Sequence, residues 1–320
     1  MNKNYLDKLA KIERLARGSV WQRFLNDPIR YVSAIVYWRL VYPLKKKGRF
    51  AGATTFFGKK MEVVLPSATE IFLFGAKTHD SEIRLARFLL ANLKEGDVFC
   101  DVGAHFGYFT LLASQLVGRA GQVVSFEASR STFGILQKNI AGCANITALH
   151  RAASDKEEAL DFHEFPALFS EYNSLVLPEI KNAKWLKNNP PTRNEVRGQR
   201  LDKYFSENSI SPKIIKIDVE GAEPQVLRGM EVFLKNNAPV LVMEYLTGGS
   251  QNNAHQEAVS FAESIGYQIF IINEKGEIER CEDVETAINA KGLDSDNIVL
   301  FQSKVFSPQS TVHSLIGVLS

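Results

Sequence analysis

The chain has 320 residues, a length that suits one α/β domain with an extension. Hydrophobic residues make up 45% and charged residues 23%, which predicts a globular protein with a hydrophobic core. The formal net charge of +2 argues against a nucleic-acid partner, because such binding depends on a large excess of basic residues.

The sequence gives no signal for secretion, membrane spanning or disulfide formation. Its first 17 residues, MNKNYLDKLAKIERLAR, are charged throughout, and no apolar run reaches the roughly 18–20 residues that span a bilayer. The three cysteines, Cys100, Cys143 and Cys281, form no CxxC pair. We therefore expect a cytoplasmic protein with reduced thiols and no thiolate metal site.

Residues 1–79 are predicted to form an extension of amphipathic helices and short strands. Apolar residues recur at helical spacing in the first 16 residues. Residues 56–74 are predicted to be short strands, broken at Gly58 and Pro66.

Within this extension, residues 21–49 are rich in tryptophan, tyrosine, valine and isoleucine and include Lys45, Lys46 and Lys47. Aromatic side chains beside a basic run suit the surface of an anionic membrane, which would place the protein peripherally at the inner membrane face. The alternative is that the segment packs on the rest of the chain or on a second subunit of a homodimer.

Residues 80–305 alternate helices and strands, a pattern that predicts a doubly wound α/β domain with a mostly parallel seven-stranded sheet. The last two predicted strands are expected to pair antiparallel at a sheet edge. The predicted strands are 97–102, 122–126, 146–150, 214–217, 240–244, 267–272 and 297–301. The predicted helices are 81–93, 108–116, 132–140, 201–205, 223–234 and 255–265. Residues 306–320 are predicted to be a tail.

An insertion at 159–200 interrupts the alternation. Prolines break every regular run in it, and it is rich in aromatic and basic side chains. These are Phe162, Phe165, Phe169, Tyr172, Trp185, Arg193, Arg197 and Arg200. We interpret the insertion as a lid that binds an acceptor molecule, and the alternative is a surface excursion with its own hydrophobic cluster.

The strongest local signal is the stretch Asp101-Val102-Gly103-Ala104-His105-Phe106-Gly107, where an apolar strand leads through a glycine loop into a helix. Glycines allow a sharp turn and leave room for a ligand, and a helix N-terminus offers free N–H groups. We predict that Asp101, Gly103, Ala104 and Gly107 bind a cofactor. The spacing is DxGxxxG, so the GxGxxG pattern of dinucleotide enzymes is absent. The alternative is a purely structural turn.

Acidic residues after the next two strands extend this prediction. Glu127 ends the second strand, where a carboxylate can accept hydrogen bonds from both hydroxyls of a ribose. Ala128, the next residue, is expected to border the same ligand. Asp155, after the third strand, could accept from an adenine amino group, or it could be a turn or cap residue.

A second carboxylate group is predicted where the later strands end. Asp218 and Glu244 follow two apolar strands and are candidate catalytic residues, together with His105 of the glycine loop. Asp218 is also expected to bind the cofactor. Carboxylates at adjacent strand ends repel one another, which raises at least one pKa or attracts a cation. We expect no metal. Glu220 and Glu223 could instead only cap the next helix, and His105 could simply be hydrogen-bonded.

Taken in order, these segments resemble the FkbM family of methyltransferases, and the resemblance covers roughly residues 80–301. It is carried by the stretches 99–110, 125–127, 201–205 and, most strongly, 216–224 (KIDVEGAEP). The resemblance implies a class I methyltransferase fold, which is Rossmann-like, S-adenosylmethionine as methyl donor, and usually a hydroxyl acceptor. Two departures stand out: His105-Phe106 replaces the usual Asn-Ile pair, and Ala128 replaces a common proline.

We therefore expect an S-adenosylmethionine-dependent O-methyltransferase that acts on a sugar, a glycan or another small molecule. One alternative is a non-catalytic binding or scaffold protein that has kept the fold. The other is a nicotinamide-dependent oxidoreductase, which would need the absent GxGxxG pattern.

Overall fold

The computed structural model describes residues 2–176, 183–248 and 251–302. The tail predicted at 306–320 lies outside the described residues.

The N-terminal region consists of short helices followed by a β-hairpin and one more helix. Ser19 caps α2 with a reciprocal capping box to Gln22, and Asp27 caps α3, which begins at Pro28. Its elements are α1 Asn2–Ala16, α2 Val20–Asn26, α3 Pro28–Val36, a π-helical turn Tyr37–Val41, α4 Tyr42–Lys45, β1 Arg49–Thr54, β2 Lys60–Leu65 and α5 Thr69–Phe74.

The prediction of short strands over residues 56–74 is wrong for its second half. Only β2 lies there as a strand, and α5 follows it. The α5 sequence, TEIFLF, is a short apolar run whose period does not distinguish a strand from a helix. Packing of Ile71 and Phe72 into the core gives it the helical form, and Gly75 in the left-handed region ends it.

The rest of the chain alternates strands and helices as predicted. Its strands are β3 Val98–Val102, β4 Gln122–Glu127, β5 Ile146–His150, β6 Ala152–Ala153, β7 Ala159–Glu164, β8 Thr192–Gln199, β9 Ile214–Ile217, β10 Val240–Leu246, β11 Tyr267–Ile272, β12 Ile278–Arg280 and β13 Ser295–Gln302. Its helices are α6 Asp80–Asn92, α7 Tyr108–Val117, α8 Arg130–Asn139, α9 Ala183–Asn188, α10 Leu201–Glu207, α11 Glu223–Arg228, α12 Glu231–Asn237, α13 Gln251–Ser264 and α14 Val284–Ala290.

Within the described residues, the central sheet has the order β12-β11-β13-β10-β9-β3-β4-β5. The five strands from β10 to β5 run parallel, and β13 inserts antiparallel between β10 and β11. This is the doubly wound class I methyltransferase arrangement, with the antiparallel edge pair that the sequence predicts. The sheet has eight strands rather than seven, because the short β12 pairs with the edge strand β11.

The helix predicted at 223–234 is two helices, α11 and α12, with a break at Gly229 and Met230. A Cβ on Gly229 would lie 2.1 Å from the carbonyl oxygen of Ser154, so the chain passes very close to the segment after β6. The hydrophobic period continues across the break, which is why the sequence pattern hides it.

The insertion at 159–200 is more regular than its prolines suggest. Strands β7 and β8 pair antiparallel, and β8 also pairs parallel with β6, so the insertion is attached to the main domain as a three-stranded sheet. A 3₁₀ helix, Ala167–Tyr172, lies between β7 and β8.

The N-terminal region shares a hydrophobic core with the rest of the chain. Tyr5 and Leu9 of α1, together with the buried residues of β2 and α5, belong to the same cluster as Leu85 and Phe99. Helix α1 packs along α6. Among the described residues, none of the helices has the length and apolarity needed to cross a bilayer.

A buried ion pair connects α6 with the antiparallel strand β13. Arg84 Nη2 lies 2.7 Å from Asp296 Oδ1, and their side chains are 1% and 0% exposed. Lys291 also approaches Asp296, at 3.0 Å. A charge at this depth must be paired, because the loss of one partner leaves the other without solvation.

We predict that Arg84→Leu lowers the free energy of unfolding by about 3 kcal/mol, because Asp296 then keeps only Lys291 as a counter-charge. The matched control is Arg17→Leu, which removes an ion pair from a side chain that is 54% exposed and should cost about 1 kcal/mol or less. Denaturant unfolding of both variants measures the difference. Equal losses of unfolding free energy in the two variants would show that the buried ion pair contributes no more to stability than the exposed one.

Candidate functional site

A cavity of about 320 Å³ opens at the carboxyl ends of β3, β4, β9 and β10. This is the edge of a parallel sheet at which α/β proteins bind ligands, and the volume suits a small molecule. Among the predicted site residues, the cavity lining includes Gly103, His105, Glu127, Ala128, Asp218 and Glu244. Asp101, Ala104, Gly107 and Asp155 are not part of that lining.

Asp101 lies beneath the glycine loop, fully buried. Its Oδ2 accepts a hydrogen bond of 2.6 Å from Thr110 Oγ1 of α7, and its Oδ1 lies 3.5 Å from Lys216 Nζ of β9. Asp101 therefore fixes the loop to the neighbouring helix and strand, and its contacts with these two residues place it outside the space available to a ligand.

Gly103 is required by the protein's own backbone. It has a φ of +78°, and a Cβ there would lie 1.7 Å from the carbonyl oxygen of Asp218. The glycine loop predicts room for a ligand at Gly103, whereas the end of β9 occupies this space. The two strand ends are thus packed backbone against backbone at the floor of the cavity.

Glu127 holds the glycine loop in place with its carboxylate. Its Oε2 accepts from the backbone N–H of His105 at 2.7 Å, and its Oε1 accepts from the N–H of Ser129 at 2.9 Å. Burial raises the pKa of Glu127 to about 7, and these two N–H groups act in the opposite direction. Each oxygen keeps a further lone pair for a ligand hydroxyl.

His105 is a neutral hydrogen-bonding residue at the top of the loop. Burial and the nearby Lys77 lower the pKa of His105 to about 3. Its Nε2 lies 3.1 Å from Ser170 Oγ of the insertion. A histidine with this pKa is a weak base, so its geometry favours a role in connecting the glycine loop to the insertion.

Lys216 is a cation buried below the cavity, 3% exposed. Its Nζ lies 3.1 Å from Asp218 Oδ2 and 3.5 Å from Asp101 Oδ1. Burial opposes the charge of Lys216, but Asp218 and Asp101 raise its pKa above the ordinary value. In return, Lys216 and Lys77 overcome the effect of burial and lower the pKa of Asp218. Asp218 is therefore ionised.

Asp218 faces two further carboxylates across the cavity. One oxygen each of Asp218, Glu220 and Glu244 lies within 4.8 Å of the other two. Burial raises the pKa of Glu220 and of Glu244 well above the ordinary value, and the neighbouring carboxylates add to the rise. Such a group can share protons or hold a hard cation.

Glu223, by contrast, is held by contacts outside this trio. Its Oε1 accepts a hydrogen bond of 3.2 Å from the backbone N–H of Val219, ahead of α11, and its Oε2 lies 3.9 Å from His255. It does not line the cavity. This fits the capping alternative.

Sequence reasoning missed one wall of the cavity, formed by Glu70, Lys77 and Glu82. Lys77 Nζ forms a 2.5 Å ion pair with Glu82, and Glu70 accepts hydrogen bonds from the backbone N–H and the hydroxyl of Thr78. Glu82 raises the pKa of Lys77 above its ordinary value even though burial opposes this. No local pattern marks these residues, because long-range packing of α5 and α6 brings them to the site.

The insertion covers the cavity, but most of the side chains that were predicted to bind an acceptor do not line it. Phe162, Ser170 and Glu171 line it, whereas Arg193 pairs with Asp161 at the surface. Arg200 pairs with Asp202, and neither it nor Arg197 lines the cavity. Phe169 and Tyr172 belong to the 3₁₀ helix and Phe165 precedes it, and all three are outside the lining. The side chain of Trp185 lies outside the described residues.

Asp155 lies apart from the cavity. Its carbonyl oxygen accepts a hydrogen bond of 3.2 Å from Arg200 Nη1, and its Oδ1 accepts one from Ser154. The part of the cavity near β6 is lined instead by Ala152 and Ala153. This geometry favours the turn alternative over contact with an adenine amino group.

The sheet order and the glycine loop at its carboxyl edge define a class I methyltransferase. The sequence model of the FkbM methyltransferase domain matches residues 101–269, more than half of the chain. The chain therefore belongs to the FkbM methyltransferase family, and S-adenosylmethionine is its cofactor.

The chain is similar to several methyltransferases at less than 30% identity. The methyltransferase sdnD of Sordaria araneosa is 28% identical over 167 residues, which is 44% of this chain and 63% of that protein. A probable cobalt-precorrin-6B C(15)-methyltransferase (decarboxylating) of Saccharolobus solfataricus is 25% identical over 152 residues, 47% of this chain and 76% of that one. The crystal structure of an FkbM methyltransferase from Methylobacillus flagellatus is 15% identical, with a TM-score of 0.39, over 66% of this chain and 44% of that chain.

The cavity suits the parts of S-adenosylmethionine. Glu127 offers carboxylate lone pairs for the ribose hydroxyls, and Val102, Phe126 and Ala153 provide an apolar surface for a flat base. When bound, the cofactor supplies an electrophilic methyl group on a sulfonium. The ionised Asp218 favours that positive charge.

We predict that Gly103→Ala weakens the binding of S-adenosylhomocysteine by at least about tenfold, because the new Cβ collides with the Asp218 carbonyl and displaces the loop. Gly134→Ala is the matched control, since its Cβ would meet nothing within 4 Å. Calorimetric titration of both variants measures the affinities. Wild-type affinity in Gly103→Ala would contradict the close approach.

A second prediction concerns pH. Only the ionised form of Glu127 accepts hydrogen bonds from both ribose hydroxyls, so affinity for S-adenosylhomocysteine should fall as the pH drops below about 7. The expected loss is about tenfold for each pH unit. His105, with a pKa of about 3, stays neutral throughout this range. Titrations from pH 5.5 to 8 test this, and in Glu127→Gln the slope should disappear.

Proposed function

We propose that this protein transfers the methyl group of S-adenosylmethionine to a hydroxyl oxygen of a sugar, a glycan or another small molecule. The observation that supports this most strongly is the group of carboxylates Asp218, Glu220 and Glu244 around the cavity, two of them with strongly raised pKa values. A hydroxyl acceptor must lose a proton, and a carboxylate with a raised pKa is a better base than an ordinary one.

In the proposed reaction, the acceptor oxygen forms the new C–O bond while the electrons of the C–S bond leave with the sulfur. The hydroxyl proton passes to a carboxylate oxygen, so that the products are a methyl ether, S-adenosylhomocysteine and a proton. Glu244 at the end of β10 is the proposed proton acceptor, because burial and Asp218 raise its pKa. The displacement itself needs mainly alignment of the two reactants.

Asp218 has a different proposed role. Lys216 keeps Asp218 ionised, so Asp218 is a hydrogen-bond acceptor rather than a strong base. It would orient the acceptor hydroxyl and stabilise the positive charge of the cofactor. The chain's own cations next to this group, Lys77 and Lys216, supply positive charge that a metal ion would otherwise bring.

The acceptor itself would be held by the cover over the cavity. Phe162 offers an aromatic face and Ser170, Asn173 and Glu171 offer hydrogen-bonding groups. Sugars and polyols present both apolar faces and hydroxyls, so this combination supports a hydroxyl-rich acceptor.

We predict that Glu244→Gln lowers kcat by about 10²–10³-fold while affinity for S-adenosylhomocysteine changes little, because the amide cannot take the proton. Wild-type kcat should rise with pH as Glu244 loses its proton, and this rise should be absent in the variant. Glu231→Gln, on the exposed side of α12, is the matched control.

Methylation of glycan and small-molecule extracts with isotopically labelled donor, followed by product analysis, measures the activity. Label on nitrogen or carbon rather than oxygen would contradict the hydroxyl acceptor. A thermal shift with S-adenosylhomocysteine but no labelled product would support a binding or scaffold protein. A shift with NAD instead would support an oxidoreductase.

A further inference from the structure

The N-terminal helices carry a continuous apolar surface on their outer side. Large apolar side chains are exposed every three or four residues along α2, α3, the π-helical turn and α4. They are Trp21 72%, Leu25 70%, Ile29 83%, Val32 48%, Val36 43%, Leu40 63% and Leu44 86%. We call these seven residues the outer stripe.

The opposite side of α3, the π-helical turn and α4 is fixed to the core. Ala34, Tyr37 and Tyr42 are buried. Arg30 donates a hydrogen bond of 2.9 Å to the carbonyl oxygen of Phe72, and Arg49 bonds Ser33 Oγ at 2.9 Å. The helices are therefore ordered by packing on one side, and the exposure of the outer stripe is a property of the folded protein.

The charge around the stripe has one sign. Residues 20–49 contain seven basic residues and one acidic residue, Asp27, although the whole chain has a formal charge of only +2. Lys45, Lys46 and Lys47 are exposed next to the end of the stripe. Arg39 lies 5.6 Å from the ring of the exposed Trp38.

We propose that the outer stripe and Lys45–Lys47 dock this protein on the surface of an anionic lipid bilayer. An apolar helical face inserts among the acyl chains near the headgroups, tryptophan side chains prefer that interface, and each nearby lysine adds attraction to anionic lipids. Helices that lie in the interface need no bilayer-spanning length.

Self-association of two copies of the chain through the outer stripe is less favourable than membrane binding. Two copies that met through the outer stripe would bring two segments of strongly positive charge together, and this repulsion would oppose association. An anionic bilayer instead neutralises the same charge. The proposal does not depend on the methyl acceptor.

The test is flotation of the full chain with vesicles, with activity and folding measured in parallel. We expect the wild type to float with phosphatidylcholine–phosphatidylserine vesicles and to remain at the bottom with phosphatidylcholine alone. Ile29→Glu should abolish flotation, because it places a charge in the apolar layer. Val232→Glu, at an exposed valine of α12 (59%), is the matched control and should float like the wild type.

A separate variant tests the contribution of the lysines to membrane binding. Lys45→Gln/Lys47→Gln should weaken partitioning roughly 25-fold, about fivefold for each charge, with an unchanged melting temperature. Solution methylation should be the same in all these variants, since none of the residues lines the cavity.

Wild-type protein that stays at the bottom with anionic vesicles at low salt would overturn the proposal. So would flotation of Ile29→Glu that matches the wild type. A wild-type dimer in light scattering that Ile29→Glu converts to a monomer, without vesicle binding, would assign the stripe to self-association instead.

Discussion

The buried ammonium group of Lys216 is the interaction on which the site depends. It sits between Asp101 and Asp218, at the ends of two neighbouring strands, where no solvent can screen it. Because a charge in that position is tolerated only when it is paired, the two strand ends must stay together. Asp101 in turn holds α7 through Thr110, so sheet, helix and carboxylate form one rigid unit. The ionised state of Asp218 follows from the same contact.

Negative charge accumulates above this unit. Glu220 and Glu244 face Asp218 across the cavity, and their pKa values rise mainly because the two groups are buried, with a further rise from the neighbouring carboxylates. Lys77 lies on the other side, from a segment ahead of the methyltransferase domain. The site therefore combines charges from both regions of the chain, and the protonation of each carboxylate depends on its burial and on its charged neighbours together.

Sequence reasoning works well where a local pattern carries the information. Short apolar runs that end in an acidic residue or a glycine predict the positions of four strands to within a few residues, namely β3, β4, β9 and β10. The same runs place Gly103, Glu127, Asp218 and Glu244 at the site. It fails where packing decides. The period of the short apolar run in α5 does not distinguish a strand from a helix. The break between α11 and α12 lies at Gly229, where the chain passes close to Ser154, and no local pattern shows this contact. No sequence motif marks Lys77 as a site residue. Gly103 is correctly predicted to be a site residue, but the reason differs. The carbonyl of Asp218, which is distant in the sequence, occupies the space beside Gly103, so a ligand does not.

Leu168 of the 3₁₀ helix that covers the cavity packs against the hydrophobic cluster to which Tyr42 of α4 belongs. Together with the packing of α1 on α6 and the wall around Lys77, this packing ties the first 79 residues into the catalytic half of the molecule. The change of sequence pattern near residue 80 is thus not a suitable boundary for a truncated protein. A fragment that begins there would lose the N-terminal residues that share a hydrophobic cluster with Leu85 and Phe99 and would lack part of its own pocket, so truncation near residue 80 is expected to destabilise the remaining domain.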